Sequence, residues 1–93
     1  MSEVLSHLWE VIEERKRTLP PGSNTASLFA GGLPRLAQKV GEEAVETAIA
    51  ALSESPERTV YEMADLFYHC LVLLAAKDLT FLELEAELAR RFK

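Results

Sequence analysis

Proline residues, alone or with glycine, interrupt this chain at three places, and the segments between them have the apolar periodicity of helices. The interruptions lie at residues 20–22, 31–34 and 55–56. Apolar residues recur three and four positions apart, and no segment shows the alternation expected of a half-buried strand. The sequence therefore predicts an all-α fold with about four main helices. We expect them at residues 3–18, 33–52, 55–77 and 80–92.

Local signals mark the connections between these helices. Thr80 and Glu83 form the Thr-x-x-Glu pattern of a capping box at the start of the last helix. The segment 24–32, NTASLFAGG, is short, small and polar, and it is not counted among the main helices. Within it, Gly31 and Gly32 can adopt backbone angles that are closed to other residues.

The chain is short and rich in apolar residues. Its 93 residues correspond to a single domain, residues 1–93, and 48% of them are hydrophobic. A domain of this size buries only about 60–65% of its unfolded surface. This apolar content exceeds what a small monomeric bundle easily hides. We therefore predict a helical bundle that is completed by homodimerisation.

Charge and cysteine content limit the partners and the compartment. The net charge of −5 argues against nucleic acid or an anionic membrane as a partner, since both attract clusters of Lys and Arg. The acidic N-terminus predicts no signal peptide, and the longest apolar run, residues 70–76, is far shorter than the roughly 20 residues of a membrane span. A single cysteine, Cys70, excludes a disulfide framework. We expect a soluble, cytoplasmic protein, with Cys70 and Trp9 in the core or at an interface.

The second helix carries three acids within five residues. With about 100° of rotation per residue, its polar side chains share an arc of about 100°. They are Arg35, Lys39, Glu42, Glu43 and Glu46. The apolar residues expected to be buried on this helix are Val40, Ala44, Val45, Ala48, Ile49 and Leu52. Taken alone, this helix is most simply interpreted as having a solvated acidic face on which Lys39 pairs with neighbouring acids.

The third helix changes this interpretation. It is apolar nearly all round, which is typical of a buried helix, yet Glu62, Asp65 and His69 share an arc of about 60°. Buried carboxylates are costly unless they pair with Arg or Lys or bind a metal. Antiparallel packing of the two helices would bring both acid sets together, which favours a site for Mg²⁺ or Mn²⁺ completed by substrate phosphates. Tyr61 and Tyr68, near this face, are interpreted as core residues.

The acids match a known motif. Glu-Glu-x-x-Glu at 42–46, then fifteen residues, then Glu-x-x-Asp at 62–65 resembles the motif of all-α nucleoside-triphosphate pyrophosphatases. More narrowly, KVGEEAVETAIAA with EMADLFYHCLVLL is similar to the phosphoribosyl-ATP pyrophosphatase family of histidine biosynthesis, and the likeness covers nearly the whole chain. The resemblance implies Mg²⁺-dependent hydrolysis of phosphoribosyl-ATP to phosphoribosyl-AMP and pyrophosphate in a homodimer. The metal ligands that it implies are Glu42, Glu43, Glu46, Glu62 and Asp65.

Further roles are hypotheses that rest on the position of the residues beside the acids and, for residues 24–27, on the resemblance. Glu43, if left off the metal, would act as the base toward the attacking water. The candidate substrate-binding residues are Lys39, Arg35, Asn24, Thr25, Ser27 and His69. Salt bridges to neighbouring acids are the alternative for Lys39 and Arg35, and a hydrogen-bonded core position is the alternative for His69. Asn24 stands where the family has an aromatic residue, so no base stacking is expected there.

Three other functions compete with this interpretation. A pyrophosphatase of the same superfamily that acts on a noncanonical dNTP or dUTP would carry the same acids. A di-iron bundle usually needs Glu-x-x-His pairs, and no Glu lies three residues before His69. A non-catalytic dimerisation module would leave the acids solvated. The cyclohydrolase that performs the next step in histidine biosynthesis is expected to be a separate protein.

Overall fold

The computed structural model describes residues 2–92, and in this range the chain forms five α-helices and no strands. The helices are α1 (Glu3–Thr18), α2 (Asn24–Ala30), α3 (Leu33–Ser53), α4 (Pro56–Ala76) and α5 (Phe81–Arg90). The all-α prediction is confirmed, and the four predicted helices correspond to α1, α3, α4 and α5. The short helix α2 is an addition that the sequence analysis did not count.

Side-chain caps start the shorter helices. Ser23 precedes α2, and its hydroxyl accepts a hydrogen bond from the backbone N–H of Ala26 at 3.2 Å. The capping box predicted before α5 is present, with both hydrogen bonds between Thr80 and Glu83 formed. Gly32, which precedes α3, has a φ of 88° that favours glycine. Gly31 does not use this freedom, because it has ordinary right-handed helical angles where α2 ends.

The hydrophobic core lies at the end of the molecule where α3 begins and α4 ends. α1 packs there against α2 and α4. Ile12, Leu36 and Val72 are fully buried at its centre. Trp9 also belongs to this core, and its ring lies 6.3 Å from that of Phe81, which attaches the start of α5.

The helices α3 and α4 form the most extensive contact in the chain, and its middle part is polar. On α3, the side chains buried there include Glu43 and Thr47. The expectation that the apolar side of α3 is buried was wrong within one chain, because Val45, Ile49 and Leu52 are 59%, 49% and 89% exposed. Glu43 and Thr47 take the inward position in this part of the helix, so the apolar side faces outward.

The same inversion affects α4. Val60, Met63 and Phe67 are exposed, so the prediction of a wholly buried helix was also wrong within one chain. Tyr61 is exposed rather than in the core, and its ring lies 4.6 Å from the guanidinium carbon of Arg58. By length and composition alone, α4 could span a membrane. Here it packs along α3 and contributes buried polar residues to the contact.

The cysteine lies outside the core. Cys70 is exposed in the single chain, so of its two expected positions the core is excluded, and the interface stays a prediction. Its position on α4 puts it among the residues that the α3–α4 contact leaves outside.

Candidate active site

The antiparallel contact of α3 and α4 brings the acids of both helices together. Carboxylate oxygens of Glu43, Glu46 and Glu62 lie within 4.8 Å of one another. A second group, within the same distance, consists of ligand atoms from Glu43, Asp65 and His69. Glu43 belongs to both groups and therefore lies at the centre of the cluster. Four of the five predicted metal ligands are in this arrangement.

The fifth predicted ligand lies apart. Glu42 is exposed, and its carboxylate accepts a hydrogen bond from Nε2 of Gln38 at 2.9 Å. It is also 3.9 Å from Nζ of Lys39. Glu42 belongs to neither of the two ligand groups.

Glu43 is in an environment that disfavours its charge. It is 4% exposed, and its Oε2 is the only buried side-chain oxygen or nitrogen among residues 2–92 that lacks a hydrogen-bond partner. Burial, followed by the nearby carboxyl groups of Glu46 and Asp65, raises the pKa of Glu43 to about 7. Lys39 is the nearest cation, with Nζ 3.5 Å from Oε1.

The donor set fits a divalent cation. Around the four carboxylates, Lys39 pairs with Glu43 and Arg58 pairs with Glu62 at 3.3 Å, so two cations oppose four acids. Carboxylates that converge with too few cations are destabilising, and a hard cation with oxygen ligands would offset their excess charge. The residues present therefore suit Mg²⁺ or Mn²⁺.

His69 adjoins the acids with a defined tautomer. It is buried, and its Nδ1 lies 2.8 Å from the backbone carbonyl of Asp65. Because a carbonyl only accepts hydrogen bonds, Nδ1 carries the proton and donates it. In the neutral ring the lone pair is then on Nε2, which is available to a metal or to a donor on a ligand.

A cleft of about 530 Å³ opens beside the acid cluster. Its lining residues are Asn24, Ser27, Leu28, Gly31, Arg35, Lys39, Glu43, Asp65 and His69. Five of the six predicted substrate-binding residues are in this set. Thr25 is the exception, because its side chain is buried and its hydroxyl hydrogen-bonds to that of Tyr68.

Tyr68 is a contributor that sequence analysis assigned only to packing. Its hydroxyl accepts a hydrogen bond from Nδ2 of Asn24 at 3.3 Å as well as bonding to Thr25. Its ring meets that of His69 edge-on, with centroids 5.1 Å apart. Tyr68 thereby fastens α2 to α4 beside the cleft. The only signal in the sequence was its position next to His69, since nothing there predicts that α2 contacts α4.

Fold and site together define an all-helical protein with a candidate metal-binding acid cluster at the base of a cleft that also presents cations and amides. The profile of the family described as phosphoribosyl-ATP pyrophosphohydrolase matches residues 5–92. The chain belongs to this family, as the resemblance in its sequence implied.

Similar proteins support the assignment over the full chain. The chain is 57% identical over 90 residues to the phosphoribosyl-ATP pyrophosphatase of Pyrobaculum calidifontis, covering 97% of this chain and 96% of that protein. It is 52% identical over 93 residues to the phosphoribosyl-ATP pyrophosphatase of Metallosphaera sedula, covering all of both chains. It is 48% identical over 87 residues to a histidine biosynthesis bifunctional protein of Bacteroides thetaiotaomicron, covering 94% of this chain and 43% of that protein.

The elevated pKa of Glu43 predicts how the stability of the metal-free protein depends on pH. The pKa in the folded state, about 7, is above the reference value of 4.5, so the folded state retains the proton longer than the unfolded state. Stability in EDTA should therefore fall as pH rises from 5 to 8, by about 1–2 kcal/mol after allowance for solvent in the cleft. Thermal denaturation across this range measures the effect.

Two variants isolate the contribution of Glu43. Glu43→Gln should remove most of the pH dependence and be the more stable protein at pH 8 in EDTA. Glu10→Gln, at an exposed position on α1, should retain the wild-type slope. A wild-type slope that persists in Glu43→Gln would contradict the assignment.

The hydrogen bonds of Tyr68 predict a local effect on α2. Tyr68→Phe removes the hydroxyl that bonds to Asn24 and Thr25, which should cost about 1 kcal/mol of stability and speed amide exchange in α2. Tyr61→Phe is the matched control, because the Tyr61 ring is exposed and its hydroxyl makes no hydrogen bond within residues 2–92. Equal exchange in α2 for the two variants would show that Tyr68 does not fasten this helix.

Proposed function

We propose that this chain is a cytoplasmic enzyme that hydrolyses phosphoribosyl-ATP to phosphoribosyl-AMP and pyrophosphate. The observation that carries the proposal is Glu43, which is buried, centred among acids of two helices and left with an unpartnered oxygen beside an open cleft. The family match and the full-length relatives named for this activity support the choice of substrate.

The acid cluster would hold Mg²⁺, with Mn²⁺ as a substitute. The proposed metal ligands are Glu46, Glu62 and Asp65, so Glu43 would not bind the metal and could act in catalysis. Glu42 belongs to neither ligand group and lies beside them. Bound Mg²⁺ would offset the charge of the triphosphate and orient it for in-line displacement. An acidic protein would otherwise repel this substrate.

Glu43 would act as the general base. Its carboxylate takes a proton from water, the water oxygen bonds to phosphorus, and the anhydride bond between the α- and β-phosphates breaks to release pyrophosphate. Glu43 is buried beside the cleft with one carboxylate oxygen unpartnered, and this oxygen would accept the proton. Lys39, whose Nζ lies 3.5 Å from Oε1 of Glu43, would contact a phosphate oxygen once the substrate enters.

The enzyme would work as a homodimer. Large apolar side chains are exposed on α1, α3 and α4, more than a stable monomer normally presents to water. They include Val4, Val45, Ile49, Leu52, Val60, Met63 and Phe67. A second copy of the chain would cover them. The product would pass to a separate phosphoribosyl-AMP cyclohydrolase.

Pyrophosphate release tests the reaction. We would measure it from phosphoribosyl-ATP, ATP and dUTP, each with Mg²⁺ and with EDTA. Rapid release from phosphoribosyl-ATP that EDTA abolishes is the expected result. Release from dUTP alone would move the chain to a sister activity, and release from none would leave a non-catalytic helical module.

A substitution at Glu43 tests the proposed base. Glu43→Gln should lower kcat by at least about 100-fold while Mn²⁺ binding, followed by electron paramagnetic resonance, changes little. Glu10→Gln, on the surface of α1, should match the wild type in both measurements. Normal turnover by Glu43→Gln would dismiss Glu43 as the base.

Analytical ultracentrifugation tests the assembly. The wild type should sediment as a dimer, and Phe67→Glu should shift it toward monomer because a charge replaces an apolar side chain on the exposed face of α4. His7→Glu introduces the same side chain at an exposed position of α1 and should remain dimeric. A wild type that sediments as a monomer would refute the dimer.

A further inference from the structure

We infer that Arg35, together with Ser27 and Asn24, forms a subsite for the phosphate of the second phosphoribosyl group, the group that distinguishes phosphoribosyl-ATP from ATP. The inference rests on the proposed function and deepens it by assigning substrate specificity to one end of the cleft. Arg35 is assigned this role from its charge, its position on α3 and the residues around it.

The two cations that line the cleft differ in their partners. Lys39 lies 3.5 Å from Glu43 and 3.9 Å from Glu42, so its charge is already opposed by carboxylates. Arg35 lines the cleft but makes no hydrogen bond or ion pair with any other residue between 2 and 92. Its guanidinium therefore remains able to bind an anion with both of its outer nitrogens.

The spacing on α3 separates this cation from the acid cluster. Arg35, Lys39 and Glu43 are four residues apart in succession, so they share one face of the helix. Eight residues from Arg35 to Glu43 correspond to a rise of about 12 Å. The cleft consequently has a carboxylate end and a cationic end.

The proposed substrate also has two anionic ends. The ribose that carries the triphosphate and the second phosphoribosyl group are attached to different nitrogens of the adenine ring, so the base separates them. The triphosphate belongs at the acids, where a divalent cation can offset its charge. The second phosphate would be repelled by the same acids, and the cleft offers it Arg35 at the other end.

Residues of α2 complete the cationic end. Asn24 and Ser27 lie one turn apart on α2 and line the cleft with Arg35. The Ser27 hydroxyl makes no hydrogen bond within residues 2–92, so it is free to donate to a phosphate oxygen. The hydrogen bonds of Tyr68 hold α2 in this position.

Binding of phosphoribosyl-AMP and of AMP isolates this subsite from catalysis. Both ligands lack the triphosphate, and they differ only in the second phosphoribosyl group. By calorimetry, the wild type should bind phosphoribosyl-AMP at least about tenfold more tightly than AMP. Arg35→Ala should reduce this preference to less than about twofold, and Arg35→Lys should give an intermediate value because lysine lacks the planar fork.

Arg17→Ala is the matched control, because Arg17 is an exposed arginine of α1 that makes no ion pair within the described chain. It should retain the wild-type preference. In turnover, Arg35→Ala should raise KM for phosphoribosyl-ATP by about tenfold, with a much smaller change in kcat.

The outcomes separate this inference from the proposed function. Suppose that the wild type hydrolyses phosphoribosyl-ATP. If Arg35→Ala still prefers phosphoribosyl-AMP to AMP, or binds both ligands more weakly by the same factor, the subsite is wrong and the function stands. If the wild type shows no hydrolysis yet prefers phosphoribosyl-AMP through Arg35, the subsite stands and the function fails. Equal binding of both ligands by the wild type overturns the subsite.

Discussion

The carboxylates held between α3 and α4 are the constraint on which the rest of the structure depends. Charges withdrawn from water are destabilising unless partners replace the lost solvation, and here Glu43 and Glu62 are buried with only Lys39 and Arg58 as cationic partners among residues 2–92. The inner face of this helix pair therefore contributes little cohesion of its own. Cohesion comes instead from the core at the far end of the pair, where Ile12, Leu36 and Val72 are fully buried.

The inward position of the acids also determines what the chain presents to its surroundings. A helix with one polar and one apolar stripe normally turns the apolar stripe inward. Because α3 turns Glu43 and Glu46 toward α4, its residues Val45, Ile49 and Leu52 are exposed. On α4, Val60 and Phe67 are exposed as well. The assembly of the acid cluster and the exposure of apolar side chains therefore have the same cause, which is the orientation of α3 against α4. A chain that assembles the cluster in this way has apolar surface that a second copy can cover.

The fold could be predicted from local signals, whereas the orientation of its helices could not. Periodicity, prolines and the Thr80–Glu83 capping box located four helices within a few residues, because these signals act over one or two turns. The seven residues of α2 are too few for periodicity to register. A pattern along α3 shows which residues share a face, but the direction in which that face points depends on α4. For this reason the meeting of the acids was predicted correctly while the burial of Val45 and Leu52 was not.

Tertiary contacts account for what sequence analysis missed in the cleft. The resemblance to the family predicted that Thr25 binds substrate, yet its hydroxyl is hydrogen-bonded to that of Tyr68. Tyr68 acquires its importance from a contact between α2 and α4, in which the hydrogen-bonded residues are 43 and 44 positions apart along the chain. In the sequence, Arg35 and Lys39 are both cations on the same face of α3. In the structure, only Lys39 lies close enough to Glu43 to form an ion pair.

Folding and function place opposite demands on the same positions. Apolar side chains of similar volume at Glu43 and Glu62 would remove buried charge, and such replacements are often neutral or stabilising. The chain instead has carboxylates there and leaves Oε2 of Glu43 without a hydrogen-bond partner. Natural sequences depart from the rules of packing and polar satisfaction mainly at functional sites. The departure at Glu43 therefore supports its proposed role on physical grounds, and the family match independently indicates the class of reaction.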